Sequence, residues 1–547
     1  ITAAIGYRVV RLSSMPQALA AITTVALALS SQDAGPPQPP VLLRLSTLGP
    51  AAWRSRLGPT NLGAMFASAQ AEALLRPLID RADAALRERR GDAAAFAVER
   101  ARLLDYAGAV QLVVWLEQAE DALHSPRWSA ALVVEPDGHT ELAALAPGLT
   151  AWLARALAPD HTPFRWRDLQ LVPPQLREGR LVAVHAAPED TAAAQQRAAV
   201  MRCEPLARTG AGSVLAIELV LHPAMRLLPD RPVDRGWVEA LVGPATRALT
   251  LELGSAGPQV AVDLSLGFAA GDRGLAAGLF PVRAGVPDLD WLLPPATVAY
   301  RTGRADFAAL WLALERAAAA ATDREVEELR AGASKALGLD VGRALMAKIG
   351  DETLLLWWTH PDDHADHSLL ADACVVARLR DEAAFCASLR TLLPRVDANI
   401  HMTDEDGVLW VERTGALTTP DLCLGAGHGV VAIACGSDAN DRVGEVLGRA
   451  AAARGPHPQK AVAAPAAAPP GWNSRGSADV TTLIERQLGS LLTLARLGSG
   501  GFVQLPRTAA VAQEFAHWLP LLRRHELTTV TTLAGTTADA WRFRCLW

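Results

Sequence analysis

The chain has 547 residues, of which 50% are hydrophobic and 20% charged, and its formal net charge is −6. This composition is typical of a globular protein, and the length predicts about three or four packed units. Because acidic and basic residues are scattered and no Lys/Arg block occurs, nucleic acid and anionic membrane surfaces are excluded as expected partners.

Residues 1–34 have the pattern of a secretory signal peptide. Arg8 and Arg11 precede an apolar stretch at 18–30, and small residues at 28–30 offer a cleavage site. The stretch is shorter than the roughly 20 residues that cross a bilayer, which argues against the alternative of a membrane anchor. We therefore predict an exported protein, periplasmic or extracellular, with no transmembrane segment after signal cleavage.

Two parts of the chain begin in the same way. A Pro-Pro pair at 39–40 precedes the apolar segment VLLRLSTL, and a second pair at 294–295 precedes ATVAYRTG. Each segment is predicted to be a strand followed by a helical region. In the second copy, four apolar residues with i, i+3, i+4, i+7 spacing predict one buried helix face: Phe307, Leu310, Trp311 and Leu314.

The similarity between the two parts continues along the chain. Residues 103–118 match 345–360, which aligns Trp115 with Trp357. Both segments are apolar and are predicted to be strands. Two further matched pairs read as strands with short turns: 130–136 with 372–378, and 179–190 with 428–438. The shared order of the matches favours duplication over chance.

The predicted fold class is α+β, a tandem duplication of an antiparallel sheet-plus-helices unit, with each half ending in a helix-and-hairpin module. Trp237 and Trp518 each begin such a module, before a predicted hairpin. The Pro/Ala-rich stretch between the second repeat and its module reads as a linker. The predicted boundaries are a signal peptide at 1–34, repeats at 39–203 and 291–449, modules at 204–290 and 478–547, and a linker at 450–477.

Two predicted strands lack the polar alternation of a strand with one wet face. These are 112–116 (LVVWL) and 353–358 (TLLLWW), and both faces of each are expected to be covered. Cover could come from helices, from the other half, or from an apolar cavity between the halves. The four tryptophans that match between the repeats are expected to be core: Trp115, Trp357, Trp237 and Trp518.

Two long segments resemble a group of uncharacterised exported bacterial proteins. The segments are GLDVGRALMAKIGDETLLLWW (338–358) and CVVARLRDEAAFCASLRTLL (374–393). The group is a domain of unknown function found in planctomycete- and myxobacterium-like genomes. In its members a Gly-Asp/Glu pair, here Gly350 and Asp351, precedes a buried strand. The resemblance implies no activity, cofactor or catalytic residue.

The densest polar cluster in the sequence is the segment 360–367, HPDDHADH. Its imidazole groups make His360, His364 and His367 the candidate metal ligands. The segment lies between two predicted strands, where a solvated loop also accounts for its polarity, and that interpretation is favoured. Two other motifs are interpreted as hairpin turns: 404–407 instead of a calcium loop, and 424–429 instead of a phosphate loop.

The six cysteines show no disulfide or zinc spacing and are expected to be mostly small buried hydrophobes. No nucleophile elbow, S-x-x-K or H-E-x-x-H motif occurs, and no cofactor is expected. The sequence therefore favours a non-catalytic envelope protein, acting as a scaffold or partner-binding module. The alternatives are a carrier of an apolar ligand between the two halves and an extracytoplasmic metal-dependent hydrolase.

Overall fold

The computed structural model describes residues 39–73, 107–117, 127–136, 170–203, 212–221, 232–295, 297–322, 324–358, 373–396, 400–413, 422–435, 439–454, 472–482 and 518–547. The chain divides into a first unit, Ile1–Arg231 with Thr246–Ala269, and a second unit, Pro232–Ala245 with Ala270–Trp547. Both combine helices with antiparallel strands, so the predicted mixture of helices and antiparallel sheet is confirmed. The predicted signal peptide lies outside the described residues. Within them, no helix combines the length and apolarity needed to cross a membrane.

The first unit contains eight described strands in the order β4-β5-β3-β2-β1-β6-β7-β8, and every neighbouring pair is antiparallel. The strands are β1 (Val41–Leu48), β2 (Ala107–Glu117), β3 (Arg127–Pro136), β4 (Gln170–Arg177), β5 (Arg180–Ala186), β6 (Leu215–Val220), β7 (Thr246–Ala256) and β8 (Gln259–Phe268). The described helices are α1 (Pro50–Leu57), α2 (Asn61–Phe66) and α3 (Thr191–Val200).

In the second unit, ten described strands follow the order β12-β13-β14-β15-β11-β10-β9-β16-β17-β18, again antiparallel throughout. They are β9 (Thr297–Arg304), β10 (Ile349–Trp358), β11 (Ala373–Leu379), β12 (His401–Glu405), β13 (Val408–Arg413), β14 (Leu422–Gly427), β15 (Val430–Cys435), β16 (Ser474–Asp479), β17 (Thr529–Thr536) and β18 (Ala540–Leu546). The described helices are α4 (Pro232–Val242), α5 (Leu275–Leu279), α6 (Phe307–Thr322), α7 (Val326–Leu337), α8 (Val341–Ala344), α9 (Glu382–Val396), α10 (Ala439–Arg454) and α11 (Leu519–Arg524).

Eight strands of the second unit repeat the strand order of the first, and the hairpin turns correspond as well. The β4–β5 turn is Glu178 and Gly179, with φ of 49° and 77°, and the β14–β15 turn is His428 and Gly429, with φ of 53° and 81°. Positive φ at both positions is the pattern of a two-residue type I′ turn, which matches the twist of the flanking strands. The motif at 424–429 is therefore a hairpin turn, as predicted.

The strand registers correct one predicted correspondence. The first residue of β1, Val41, pairs with Trp115, and the first residue of β9, Thr297, pairs with Trp358. In both pairs the register shifts by one residue next to this position. Trp115 is therefore equivalent to Trp358, and the alignment of Trp115 with Trp357 is wrong by one residue. A shift of one residue moves a side chain to the opposite face of the sheet.

Each unit has a helix packed over this tryptophan. In the first unit, Ala194 and Ala198 of α3 pack with Trp115. In the second unit, Val443 and Val446 of α10 lie in the core that contains Trp358. We call this side of the second sheet the α10 face, and the opposite side, against which α9 packs, the α9 face.

The prediction of two covered faces holds for one strand and fails for the other. In β2, residues 113–116 are each at most 7% exposed, so both faces are covered. In β10, Leu354, Leu356 and Trp358 on the α10 face are at most 1% exposed, whereas Leu355 and Trp357 on the α9 face are only half-buried. The apolar run of β10 therefore has one tightly packed face and one open face.

The buried face of helix α6 differs from the predicted one. Phe307 and Trp311 pack against the core under α9, but Leu314 is 46% exposed. Glu315 is buried instead, because Arg330 forms an ion pair with it at 2.6 Å and the Trp311 indole donates to its carboxylate at 2.7 Å. A buried charge is tolerated when it is paired and hydrogen-bonded in this way.

A helix and a strand occupy the two ends of the predicted linker, and the helix and hairpin of the first predicted module belong to different units. Helix α10 runs to Arg454 and β16 begins at Ser474, so both ends of the predicted linker 450–477 are helix or strand. Helix α4 belongs to the second unit, whereas the hairpin β7–β8 belongs to the first. Trp237 of α4 is 37% exposed, so its assignment to the core is wrong.

Candidate functional site

The predicted metal ligands His360, His364 and His367 lie outside the described residues, between β10 and β11. The metal site therefore stays a prediction. Across the described ranges, no group of three or more His, Cys, Asp or Glu side chains is placed to hold a metal ion. The apolar cavity predicted between the two halves also stays a prediction.

Half of the cysteines are core residues in the structure. All six are free; Cys374, Cys386 and Cys423 are buried, whereas the other three are half-buried, so the prediction of mostly buried cysteines holds for three of the six. Burial raises the pKa of the Cys374 and Cys423 thiols to about 12. Because the thiolate is the reactive form, these side chains are inert as nucleophiles.

A buried charged group of the first unit surrounds Trp115. The guanidinium of Arg197 lies 5.1 Å from the Trp115 ring centroid, and Arg197 pairs with the buried Glu117. Ser129 donates to the same carboxylate. In the second unit, Arg442 lies over Trp358 at 5.7 Å in the corresponding place. Because Arg197 pairs with Glu117, and Arg442 pairs with Glu445 at 3.1 Å, we interpret both arrangements as structural.

The α9 face of the second sheet carries a group of exposed apolar side chains. Val375 is 41% exposed, and Leu422 and Ile433 are each 37% exposed. Leu355 and Trp357 are half-buried beside them. We call these five residues the open apolar face.

Strand pairing makes the open apolar face continuous. Leu355 of β10 pairs with Val375 of β11, and Val375 pairs with Ile433 of β15. Directly opposite side chains on antiparallel strands have Cβ atoms about 5 Å apart, so these three side chains form one row. Trp357 and Leu422 lie in the next row of the same face. The five side chains thus lie on four adjacent strands.

The open apolar face adjoins a part of the same sheet face that a helix covers. Ala377 lies two residues after Val375 on β11, and Val431 lies two residues before Ile433 on β15. Both are 3% exposed. They are in the core that contains Phe385 and Leu389 of α9. The α9 face is therefore divided into a part that binds a helix of its own chain and a part that is exposed.

The five side chains of the open apolar face make apolar contacts only, and the Cys435 thiol on the same sheet face is half-buried. The five side chains carry no titratable group, so they offer neither acid–base nor nucleophilic catalysis. The neighbouring position on β9 is Arg301, which pairs with Leu355 in the sheet register. Burial lowers the Arg301 pKa, its Nε donates to Ser474 at 3.0 Å, and its guanidinium lies 5.3 Å from the Phe543 ring centroid.

Two equivalent positions of the first unit are buried. The register of β1 and β2 makes Val114 equivalent to Trp357, and the matching hairpin turns make Ala183 equivalent to Ile433. Val114 is 7% exposed and Ala183 3%. Trp357 and Ile433 are therefore more exposed than their equivalents in the first unit, whereas Leu112 and Leu132, which are equivalent to Leu355 and Val375, are also half-buried.

The sequence contained one signal for the open apolar face, which was the lack of alternation in β10. That pattern was interpreted as two covered faces, because apolar strands are usually buried. Comparisons of the chain with protein-family models, with curated proteins and with solved structures give no match.

Proposed function

We propose that this chain is a non-catalytic binding protein that takes up an amphipathic helix of a partner protein on the open apolar face. We further propose that it acts outside the cytoplasm, in the envelope, because its first residues have the pattern of a signal peptide. The observation that carries the proposal is a group of five large apolar side chains on four adjacent strands, three of them exposed and two half-buried. Contiguous apolar surface of this kind marks interaction sites.

The sheet itself indicates which partner fits. The adjoining part of the α9 face binds Phe385, Leu389 and Leu392 of α9, which have i, i+4, i+7 spacing. That spacing is the apolar stripe of an amphipathic helix. The open apolar face continues this helix-binding surface with side chains of the same kind, so a second helix is the occupant that its shape and chemistry favour.

The expected affinity is modest. The five side chains expose roughly 300 Å² together, which corresponds to about 7 kcal/mol of apolar burial at 25 cal/mol per Å². Association costs about 4–15 kcal/mol in lost freedom and ordering, so this face alone supports a weak or transient complex. A tighter complex needs further contacts at the rim of the face.

A duplication is consistent with this division of roles. We infer that the two units derive from one ancestral unit, because they share strand order, type I′ hairpin turns and the register shift beside Trp115 and Trp358. In the first unit the positions equivalent to Trp357 and Ile433, which are Val114 and Ala183, are buried. Binding by the second unit alone would then be a specialisation of one copy.

A photoactivatable side chain at Val375 tests the proposal in the source cells. We expect one discrete adduct, in which the linked partner peptide has apolar residues at i, i+3 or i+4, and i+7. The same group at Val200 is the matched control, because Val200 is a valine of the first unit that is 79% exposed. Ile433→Asp should abolish the adduct, because binding would then bury a carboxylate.

Three outcomes contradict the proposal. Equal adducts at Val375 and Val200 would show that cross-linking reports exposure only. An adduct with a second copy of this chain would make the face a self-association surface. If the purified monomer already protects Trp357 from collisional quenchers, the chain itself covers the face.

A further inference from the structure

A cleft in the second unit has the size of a small-molecule site. It has a volume of about 470 Å³ and is lined by residues of the segment 271–283 and by Asp306 at the start of α6. Ligand clefts in proteins typically measure about 300–1,000 Å³. The segment lies between β8 and β9 and includes the short helix α5, and it is distinct from the open apolar face.

Hydrogen bonds to backbone carbonyl oxygens hold the walls of the cleft in place. Asn473 donates to the carbonyl oxygens of Pro281 at 3.4 Å and Arg283 at 3.2 Å. On the other side, the Asp306 amide donates to Gly278 at 2.7 Å. A site with fixed walls loses little conformational entropy when a ligand enters.

One wall of the cleft is apolar. Phe280 stacks on the buried Trp541, with ring centroids 4.1 Å apart and an interplanar angle of 22°. Pro281 and Val282 continue this wall, and Val282 is 53% exposed. Stacked aromatic rings give a rigid surface for the apolar body of a ligand.

The carboxylates in the cleft are already engaged. Asp272 accepts a hydrogen bond from the Gly274 amide at 3.0 Å and forms an ion pair with Arg316. Asp306 accepts from the Ala309 amide at 3.0 Å, which caps the N-terminus of α6. Both negative charges are therefore balanced by local partners.

One positive side chain of the cleft, Arg283, is largely exposed and only loosely paired. The Arg283 side chain is 59% exposed, and its nearest carboxylate, Asp351, is 3.9 Å away. Asp351 also accepts a closer contact from Arg304, at 3.0 Å. Arg273, the second guanidinium of the lining, donates to the Ala538 carbonyl oxygen at 2.7 Å. A guanidinium at the edge of an apolar wall is suited to bidentate binding of a carboxylate.

We propose that this cleft binds a small organic carboxylate with an aryl or short aliphatic body. The carboxylate contacts the Arg283 guanidinium, and the apolar body lies against Phe280 and Val282. Neutral or cationic analogues of the same shape lack the charge-assisted hydrogen bonds. They therefore bind at least about tenfold more weakly, which corresponds to the loss of one such contact.

Calorimetric titration of the full chain with phenylbutyrate tests this inference. Phenylbutanol and phenylbutylamine share its apolar body and differ in the charged group. We expect saturable binding of phenylbutyrate, with the alcohol about tenfold weaker and the amine weaker still. Equal affinity for all three probes, or no saturation with phenylbutyrate, would overturn the proposal.

Two variants locate the binding. Arg283→Glu should abolish phenylbutyrate binding, and Val282→Asp should weaken it at least about tenfold. Arg380→Glu is the matched control, because Arg380 is an exposed arginine of the same unit outside the cleft, and it should leave binding unchanged. An equal loss in Arg380→Glu would show a general charge effect and refute the assignment. Val375→Asp should also leave binding unchanged, which separates this site from the open apolar face.

Discussion

Replacing either tryptophan of β10 by alanine tests the register that separates the two faces of the second sheet. Trp358 is 1% exposed on the α10 face, and its side chain buries about 200 Å². At about 25 cal/mol per Å², and with partial collapse of the cavity, Trp358→Ala should lower the free energy of unfolding by about 3–5 kcal/mol. Loss of the Arg442 contact contributes to this decrease.

Trp357→Ala is the matched comparison, because the residue is adjacent in sequence and faces the other way. Its side chain is only half-buried, so the same reasoning gives a loss of about 2 kcal/mol. Urea unfolding should be combined with hydrogen exchange of the β11 amides, because two units can unfold separately. An equal or larger loss for Trp357→Ala would refute the register and the assignment of the open apolar face.

Three further predictions concern backbone strain, thiol reactivity and pH. Gly243→Ala should destabilise the chain by about 3 kcal/mol or more, because φ is +77° and a Cβ would lie 2.2 Å from a backbone nitrogen. Gly179 has the same φ, but a Cβ there would have no atom within 4 Å. Gly179→Ala should therefore cost only about 1–2 kcal/mol, as measured by urea titration. Cys374, with its pKa raised to about 12 by burial, should resist iodoacetamide at mildly alkaline pH until the chain is unfolded, and rapid labelling of the native state would contradict its burial. The hydrogen bond from the Ala384 amide, and to a smaller extent the one from Lys348, lowers the pKa of Asp381 below its ordinary value of 3.8. The ionised Asp381 carboxylate therefore stabilises the fold fully above pH 3.8, and this stabilisation is lost as the pH falls through the lowered pKa. The stability difference between the native chain and Asp381→Ala should shrink accordingly, and a pH-independent difference would exclude this linkage.

Local sequence signals predicted the parts of the fold that depend on local geometry. The matched segments 179–190 and 428–438 contain Gly179 and Gly429, and both glycines lie at the second position of a type I′ turn, where positive φ favours glycine. The antiparallel strands that flank each turn follow from this geometry. The alignment of β2 with β10 failed because Trp357 and Trp358 are adjacent, and only the register shift beside β9 decides which one faces α10.

The candidate site depended on tertiary cover, which periodicity does not report. An apolar strand such as β10 has the same pattern whether a helix covers its second face or leaves it open. The position of Glu315 shows the same limit, since its burial depends on Arg330, which lies on the next helix. The cleft at 271–283 likewise combines a loop with Asp306 and Asn473, which are distant in sequence.

The strand β12 has a consequence for how molecules of this protein meet each other. It has five residues, all but Met402 exposed, and its sequence HMTDE places Asp404 and Glu405 near its end. Among the described strands it pairs only with β13. A short, charged terminal strand discourages the addition of further strands from another chain, which is the first step of edge-to-edge aggregation. At this end of the sheet, charge opposes growth into a fibril. The protein can therefore bind a partner on the face of the sheet without aggregating through the β12 edge.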